Sequence, residues 1–427
     1  MALLKTVTLG CKVNQYETEF VREGLISAGY RDAGEFEPAD LCVINTCTVT
    51  QEADSKSRRM IRRLHRRNPD ARIIVMGCYA TGDPQAIAEI PGVSEVITDK
   101  RELPDWLKRF GVVDVPDGIS EFRGRHRAYV KVQDGCLLKC SYCIIPLVRP
   151  KAYSRDPESI EREVTRLVAN GHREIVLTGI HLGHYGVDGN RAKPKDQWLR
   201  LSHLIRRLVD LPGEFRIRLS SIEATEVTRE LIQVMAARPD RICPHLHVCL
   251  QSGSDRILRR MRRRWSAKMF IDRCDLVRQY LDHPAFTTDL MVGFPGETEE
   301  DFQLSCQVAK QVGFSKIHVF PFSARKGTPA AEMEDPVSQA EKTERVARAR
   351  DLESILRNDY WESLVGRPLD VLLESPHPDG GGLVGTAGRY APVLVEAGSQ
   401  WQGRLVRLTP NCRKGEFLSA KMDPGLR

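Results

Sequence analysis

The chain has 427 residues, of which 41% are hydrophobic and 28% charged, and its formal net charge at pH 7 is +7. It has no apolar run of the ~20 residues that a membrane helix requires, and its start, Met1 to Lys5, lacks the regions of a signal peptide. Twelve cysteines in such a chain do not indicate a secreted disulfide scaffold, so we expect a cytoplasmic protein of two or three domains.

The first part of the chain alternates between strand and helix patterns. Strands are predicted at 3–9, 41–45 and 72–76, and helical periodicity is present at 14–28 and 55–67. This rhythm is typical of a parallel sheet with helices on both faces. We therefore expect a Rossmann-like open sheet in this region.

Three cysteines stand where these strands end. Cys11 follows the first strand, Cys47 the second and Cys78 the third, and Gly10 and Gly77 allow tight backbone turns before two of them. Because ligands collect beyond the carboxyl ends of the strands of an open parallel sheet, we expect the three thiols to converge at one edge. A metal site accounts for this placement, and the packing of three unrelated thiols is the alternative.

Basic residues crowd the helix predicted at 55–67, and a second basic group lies at 259–264. Like charges packed this densely repel one another, and an anionic partner such as RNA relieves the repulsion. An ordinary solvated face is the alternative interpretation. The candidate RNA contacts in the two groups are Arg59, Arg62, Arg63, Arg66 and Arg262.

A Pro-Asp-Gly turn signal opens a connecting segment at 116–127, after which the strand and helix rhythm resumes. Helical patterns follow each of six candidate strands, so we expect a partial, open (βα)6 barrel with functional groups at the carboxyl ends of the strands. The candidate strands are 128–133, 174–179, 215–220, 245–250, 286–292 and 316–320.

Cys136, Cys140 and Cys143 follow the first of these strands at the spacing C-x3-C-x2-C. Such a loop can fold back so that three thiolates face one centre, and thiolates suit iron–sulfur clusters or zinc. Structural zinc needs four protein ligands, and no fourth Cys or His is close by, which favours a cubane cluster with one open iron. Zinc and three unrelated buried cysteines are the alternatives.

The other six cysteines stand mostly in apolar surroundings, and we interpret them as inert core residues. They are Cys42, Cys243, Cys249, Cys274, Cys306 and Cys412.

The pattern changes after the barrel. A charged amphipathic helix is predicted at 338–363, and five short strands between glycines follow it, which indicates a small β-barrel of oligonucleotide-binding type. Arg389 and Tyr390 are candidate RNA contacts, and a capping domain with Tyr390 in its core is the alternative. The five strands are predicted at 371–373, 382–385, 393–395, 403–408 and 417–420.

Several of these segments resemble one enzyme family. The segment from Cys136 to Cys143, with Tyr142 before the last cysteine, is similar to the radical S-adenosylmethionine (SAM) signature. Its continuation through Ile144-Ile145-Pro146 to Arg149 resembles the methylthiotransferase branch, although Leu137 and Pro150 stand where that branch usually has Asn and Gly. The segments that resemble its N-terminal domain and its C-terminal TRAM domain are 8–18, 45–50, 77–78 and 364–427.

The resemblance implies two 4Fe-4S clusters as cofactors, together with SAM. The first cluster, at Cys136, Cys140 and Cys143, binds SAM and cleaves it to a radical, and the auxiliary cluster at the three N-terminal cysteines holds the sulfur. Catalytic roles are therefore implied for all six cysteines. Contacts to SAM are implied at Tyr142, Thr178, Gly179, Ser221, Glu223, Gln251 and Asp289, and the auxiliary ligands are Cys11, Cys47 and Cys78.

The family has three substrate types: isopentenyl-adenosine in tRNA, an aspartate of a ribosomal protein, and N6-threonylcarbamoyladenosine next to the anticodon, at position 37. The segment from Gly10 to Thr18 most resembles the threonylcarbamoyladenosine branch. A non-catalytic RNA-binding metalloprotein is the alternative from another class.

The expected domains are an N-terminal methylthiotransferase domain at 1–115, a linker at 116–127, a radical SAM domain at 128–362 and a TRAM-like domain at 363–427. The expected partners are the anticodon stem-loop of tRNA, a sulfur donor and a flavodoxin-type reductant, without a membrane. We expect a monomer.

Overall fold

The computed structural model describes residues 1–190 and 193–422. The N-terminal region is a five-stranded parallel sheet in the order β2-β1-β3-β4-β5. Its strands are Leu3–Thr8 (β1), Arg31–Asp32 (β2), Leu41–Thr46 (β3), Arg72–Gly77 (β4) and Val93–Val96 (β5). Its helices are Lys12–Ser27 (α1), Gln51–Arg67 (α2), Cys78–Gly82 (α3), Pro84–Ala88 (α4) and Leu103–Lys108 (α5).

Helices cover both faces of this sheet, as the sequence predicts. On one face Val21, Leu25 and Leu107 pack in one apolar cluster, and on the other Ile61 and Leu64 pack in a second. All six residues of β3 are buried, because a central parallel strand is covered on both sides.

The middle of the chain forms the predicted partial barrel. Two four-stranded sheets, β7-β6-β8-β9 and β10-β11-β12-β13, meet where the Cys243 N–H donates to the Ile217 carbonyl oxygen at 2.9 Å. Six parallel segments result, because β9 and β10 are consecutive parts of one segment at 216–222, and the short β7 is antiparallel at one edge. The strands are Arg127–Asp134 (β6), Tyr153–Ser154 (β7), Glu174–Gly179 (β8), Arg216–Leu219 (β9), Ser221–Ile222 (β10), His245–Val248 (β11), Ala285–Val292 (β12) and Lys316–Pro321 (β13).

Helices surround these strands on the outside. The last of them was expected to be amphipathic, but its buried face carries charged residues. Arg345 pairs with Glu297 at 2.9 Å, and Lys316 pairs with Glu353 at 3.1 Å. The helices are Ile145–Val148 (α6), Pro157–Ala169 (α7), Val187–Asn190 (α8), Leu201–Val209 (α9), Arg229–Ala237 (α10), Asp255–Arg260 (α11), Ala267–Tyr280 (α12), Glu299–Val312 (α13) and Gln339–Glu362 (α14).

The C-terminal region is a six-stranded sheet around its own apolar core, in the order β17-β14-β15-β16-β19-β18. All its pairs are antiparallel except β16 with β19. The five predicted strands are present, and a sixth, β18, is only three residues long, too short for a periodic pattern. The strands are Leu369–Pro376 (β14), Leu383–Ala387 (β15), Pro392–Glu396 (β16), Leu405–Leu408 (β17), Cys412–Lys414 (β18) and Phe417–Lys421 (β19).

This sheet packs against the end of the barrel at which the strands begin. Glu174, the first residue of β8, is fully buried and pairs with Arg216 and Arg218 at 2.6 and 2.7 Å. Arg218 donates to the Gly388 carbonyl at 3.0 Å, and Arg127, which opens β6, reaches Glu374 at 2.6 Å. The C-terminal region therefore closes the barrel end opposite to the cysteine loop.

Arg389 and Tyr390, which the sequence offers as RNA contacts, lie in this junction. The Arg389 guanidinium donates to Asp282 at 3.0 Å and to the His283 carbonyl at 3.0 Å. The Tyr390 ring stacks on His245 at 5.0 Å between centroids. Both residues therefore bind the barrel, and Tyr390, which is 38% exposed, does not lie in the sheet's own core. Their role as RNA contacts stays a prediction.

The segment at 116–127 is held by contacts on both sides. Glu23 of α1 accepts hydrogen bonds from the Ser120 and Glu121 N–H groups at 2.8 and 2.7 Å. The Phe122 N–H donates to His172 Nε2 at 3.0 Å, and Ile119 is fully buried. The predicted domain bounds, with this segment as a linker, stay a prediction.

Among the described residues, no helix is long and apolar enough to cross a membrane.

Candidate functional site

Three cysteines lie at one edge of the N-terminal sheet because the strand ends are in register. Thr8 pairs with Asn45, and Thr46 pairs with Gly77, so β1, β3 and β4 end side by side. Cys11 then precedes α1, Cys47 begins the turn toward α2, and Cys78 is the first residue of α3. The structure thus brings together the three residues that the sequence predicts.

Two glycines allow the close approach of these turns. Gly10 has φ +101°, and a Cβ there would lie 3.0 Å from Cys47 Sγ. Gly77 has φ +104°, and a Cβ there would lie 2.3 Å from the Thr46 carbonyl oxygen. Both backbone conformations favour glycine, and space for a side chain is also missing at both positions, since a Cβ at Gly10 would lie 2.8 Å from Cys47 Cβ.

Asn14 fastens the strand ends to α1. Its side-chain amide donates to the carbonyl oxygens of Leu9 at 2.9 Å and Thr46 at 3.0 Å. Asn45 donates in turn to the Asn14 carbonyl at 2.9 Å. The two asparagines therefore orient the loops that carry the cysteines.

The second cysteine set lies on the loop that leaves β6, at the carboxyl end of the barrel. Gly135 has φ +73°, and a Cβ there would lie 2.1 Å from the Lys151 carbonyl oxygen. Ser141 anchors the loop, because its N–H donates to the Met261 carbonyl at 3.1 Å and its hydroxyl to the Arg260 carbonyl at 2.8 Å. Cys140 is buried, and Cys136 and Cys143 are half-buried.

Charged side chains support this loop from the barrel. Arg263, on the segment after α11, donates to both Tyr142 and Glu223 and so joins two of the predicted SAM contacts. His181 lies 3.6 Å from Cys136 Sγ through Nδ1 and 2.7 Å from a Glu226 oxygen through Nε2. Burial alone lowers the pKa of His181, but these two hydrogen bonds raise it to about 9.

The remaining predicted SAM contacts occupy the same end of the barrel. Thr178 and Gly179 end β8, Ser221 begins β10, and Gln251 follows β11 with φ +66°. Asp289 lies on β12, where the Gln251 N–H donates to its backbone carbonyl at 2.9 Å.

One thiol that we interpreted as inert belongs to this polar surrounding. Cys249 Sγ is 3.9 Å from Asp289, and His247 Nε2 is 3.4 Å from the same carboxylate. Of the other five, Cys42, Cys243 and Cys274 are buried.

A buried ionic network links the two cysteine sets. Arg149, whose side chain is 3% exposed, pairs with Glu17 of α1 at 2.8 Å and with Asp134 of β6 at 2.8 Å. Lys131 pairs with the same two carboxylates at 3.1 and 3.0 Å. Burial acts to raise the pKa of Glu17, but Arg149 and then Lys131 lower it to about 2, so this carboxylate is ionised.

A second contact fixes the N-terminal sheet over the barrel mouth. Arg325, after β13, donates to Thr48 and to Asp54 at 2.7 Å each. Thr48 directly follows Cys47, so the auxiliary cysteines face the same mouth as the loop of Cys136.

The donor sets fit iron–sulfur clusters. Each set offers three cysteine sulfurs, which are the soft ligands that iron–sulfur clusters take. Burial raises the pKa of Cys47 to about 11 and of Cys143 to about 12, so these thiols need a cationic centre to become thiolates. At the mouth, Glu223 Oε2 and Gln251 Oε1 are buried without a hydrogen-bond partner in the described chain, which suits a polar ligand such as SAM.

Sequence reasoning gave no role to the charged groups behind the cysteines. Arg149 entered only as part of the resemblance, Arg263 entered only as a member of the basic group at 259–264, and His181 did not enter at all. The position of Arg149 in the motif was the one available signal, since its partners lie far away in sequence or in another element.

Comparisons with known proteins agree with this geometry. The chain matches the model of the uncharacterized protein family UPF0004 at residues 4–99 and that of the radical SAM superfamily at residues 130–309. The threonylcarbamoyladenosine tRNA methylthiotransferase MtaB of Bacillus subtilis (strain 168) is 40% identical over 428 residues, covering 96% of this chain and 93% of that protein.

Two further proteins extend the comparison. The tRNA-2-methylthio-N(6)-dimethylallyladenosine synthase of Mycolicibacterium paratuberculosis is 36% identical, covering 86% of this chain and 74% of that protein. The solved radical SAM methyltransferase TsrM of Kitasatospora setae has a TM-score of 0.56 at 15% identity, covering 78% of this chain and 77% of that one, which supports the fold.

Gly77→Ala tests the close packing before Cys78. Gly29 has a similar φ of +92° but nothing within 4 Å of an added Cβ, so Gly29→Ala measures the backbone conformation alone. We expect Gly77→Ala to lower the free energy of unfolding of the metal-free chain by about 2 kcal/mol more than Gly29→Ala, from overpacking. Anaerobic urea denaturation measures both, and equal losses would contradict the close approach.

Proposed function

The chain belongs to the radical SAM methylthiotransferase family, and we propose that it converts N6-threonylcarbamoyladenosine at position 37 of tRNA to its 2-methylthio derivative. The observation that carries the proposal is the pair of three-cysteine sites that face one barrel mouth. An unactivated C–H bond has no acidic proton, so a base cannot break it by removing a proton. Its hydrogen atom must instead be abstracted by a radical. Two separate centres match the two tasks of radical generation and sulfur delivery.

The cysteine sites divide these tasks. Cys136, Cys140 and Cys143 would hold the cluster that binds SAM, and the three N-terminal cysteines would hold the auxiliary cluster. The bound cofactors supply the radical, the sulfur and the methyl group. The chain supplies the surroundings of SAM, with Tyr142, Glu223 and Gln251 at the mouth and Thr178, Gly179, Ser221 and Asp289 at neighbouring strand ends.

Helix α2 supports tRNA as the substrate. It begins beside the barrel mouth, where the Gln51 N–H donates to Ser323 Oγ at 3.3 Å, and it runs outward from the auxiliary site. Its exposed arginines make no ion pair within the described part of the chain, so their charge is free for phosphates. These exposed arginines are Arg59, Arg62, Arg63, Arg66 and Arg67.

Arg262 extends the basic surface on the barrel side. It is exposed, has φ +57°, and stands between Met261, which binds the cysteine loop, and Arg263, which contacts Tyr142. The anticodon stem-loop is therefore held between α2 and this segment, with the modified adenosine in the mouth.

The threonylcarbamoyl substrate is favoured over the isopentenyl one by the segment from Gly10 to Thr18 and by the higher identity to MtaB, 40% against 36%. A tRNA substrate supports a cytoplasmic location. The proposal includes a monomer that receives sulfur from a donor and electrons from a flavodoxin-type reductant. The domain division of the sequence analysis, at 1–115, 128–362 and 363–427, is part of this proposal.

Nucleoside mass spectrometry on tRNA tests the reaction. In cells that lack this chain, we expect 2-methylthio-N6-threonylcarbamoyladenosine to disappear and its precursor without the methylthio group to accumulate. The intact gene should restore the product, whereas the Cys136→Ala form should not. An unchanged product would contradict the substrate, and a loss of the 2-methylthio isopentenyl nucleoside instead would favour the other tRNA branch.

Charge reversal tests the tRNA surface. Arg62→Glu, Arg63→Glu and Arg66→Glu together should weaken tRNA binding and lower the slope of log Kd against log salt by about one for each lost phosphate contact. Arg206→Glu, Lys268→Glu and Lys310→Glu change the net charge equally on the outer barrel helices and serve as the control. Filter binding at several salt concentrations measures both, and equal weakening in the two proteins would contradict a specific role of α2.

A further inference from the structure

Arg149 uses all three nitrogens of its guanidinium in the contact between the two sites. Nη1 donates to Glu17 and Asp134 at 2.8 Å each, and Nη2 donates to Asn14 at 3.1 Å and Glu17 at 2.9 Å. Nε, the remaining donor, lies 3.4 Å from Cys78 Sγ. One buried side chain therefore contacts Asp134, which supports the loop of Cys136, and a sulfur of the N-terminal cysteine set.

The contact with Cys78 is not required by the ion pairs. Glu17 and Asp134 already satisfy the charge of Arg149, and the Nε–H points instead to a sulfur. Cys11 has a different partner, the Asn14 side chain at 3.8 Å, and Cys47 lies beside a backbone turn. Within the described residues, Cys78 is thus the auxiliary cysteine whose sulfur accepts a hydrogen bond from a charged side chain.

We propose that Arg149 is a positioning residue that tunes the auxiliary cluster by donating its Nε–H to the Cys78 sulfur and that fixes this cluster relative to the loop of Cys136. The inference rests on the proposed function, since it takes the N-terminal cysteines as cluster ligands. Hydrogen bonds to cluster sulfurs and nearby positive charge favour the reduced state and so raise the reduction potential.

The geometry also explains how the two sites keep their spacing. Asp134 precedes Gly135 and Cys136 on the same strand end, and Glu17 and Asn14 lie on the helix that Cys11 precedes. A planar guanidinium holds these groups in fixed directions, whereas a lysine ammonium is a point charge on a flexible chain. Arg149→Lys therefore keeps the buried positive charge but cannot keep all the contacts.

The test isolates the auxiliary cluster in the full-length chain. In a background with Cys136→Ala, Cys140→Ala and Cys143→Ala, anaerobic reconstitution should leave one cluster, whose potential is read by electron paramagnetic resonance during a redox titration. We expect Arg149→Lys to keep the iron content and to shift this potential to a more negative value. An unchanged potential would overturn the proposal.

Arg155→Lys is the matched control. Arg155 is half-buried, pairs with the fully buried Glu163 and donates to Tyr16 at 2.9 Å, but within the described residues it makes no hydrogen bond to a cysteine. This control should leave the potential of the auxiliary cluster unchanged. An equal shift in both proteins would overturn the proposal, because it would reflect loosened packing in general.

Loss of the cluster has a different meaning in the Arg149 variants and in the background that keeps Arg149. If Arg149→Lys does not hold a cluster, the pair Arg149→Gln with Glu17→Gln, which removes one buried charge of each sign, replaces it in the same titration. Loss of the cluster in Arg149→Lys and also in the double variant would assign Arg149 a purely structural role and overturn the proposal. If the background with Arg149 intact binds no iron, the proposed function itself fails, which is a different result.

A second readout uses the chain that keeps all six cluster cysteines. The amount of product formed for each SAM cleaved reports the spacing of the two sites. Arg149→Lys should still cleave SAM, but it should form several-fold less methylthio product for each SAM cleaved. A parallel loss of cleavage and product would contradict a positioning role between the two sites.

Discussion

The buried guanidinium of Arg149 is the constraint on which the arrangement of the two cysteine sites depends. It joins Glu17 of the N-terminal sheet region to Asp134 at the end of the first barrel strand, and both carboxylates are nearly inaccessible to water. Breaking a buried pair by removing one partner costs roughly 3–5 kcal/mol, because a charge is left unpaired. The network therefore disfavours separation of the two regions, and with it separation of the two centres.

The open sheet and the barrel both carry their cysteines at the carboxyl ends of parallel strands. The open sheet gathers Cys11, Cys47 and Cys78 from three strand ends in register, whereas the barrel supplies its three cysteines from one loop. Arg325 closes the N-terminal region over the barrel mouth. The C-terminal sheet covers the opposite end, so the mouth and the basic face of α2 stay open to RNA.

Much of this fold is predictable from local patterns, and the exceptions have one physical cause. The strands before each cysteine follow from apolar periodicity, so the convergence of Cys11, Cys47 and Cys78 can be expected before any coordinates exist. Other contacts cannot be predicted from these patterns, because they join side chains on different elements. They are the partners of Arg149, the contact of His181 with Cys136 and the packing of Tyr390 on His245. The charged buried face of α14 is missed for the same reason, since Glu297 neutralises Arg345 from another element.

The central claim is that one chain carries two separate clusters at one mouth. Mössbauer spectroscopy on protein reconstituted with 57Fe tests it most directly when the intact chain is compared with two triple-alanine forms, one for each cysteine set. The account predicts two 4Fe-4S clusters in the intact chain and one in each altered form. A single cluster in the intact chain, or loss of all iron–sulfur signal when either set is removed, would contradict it.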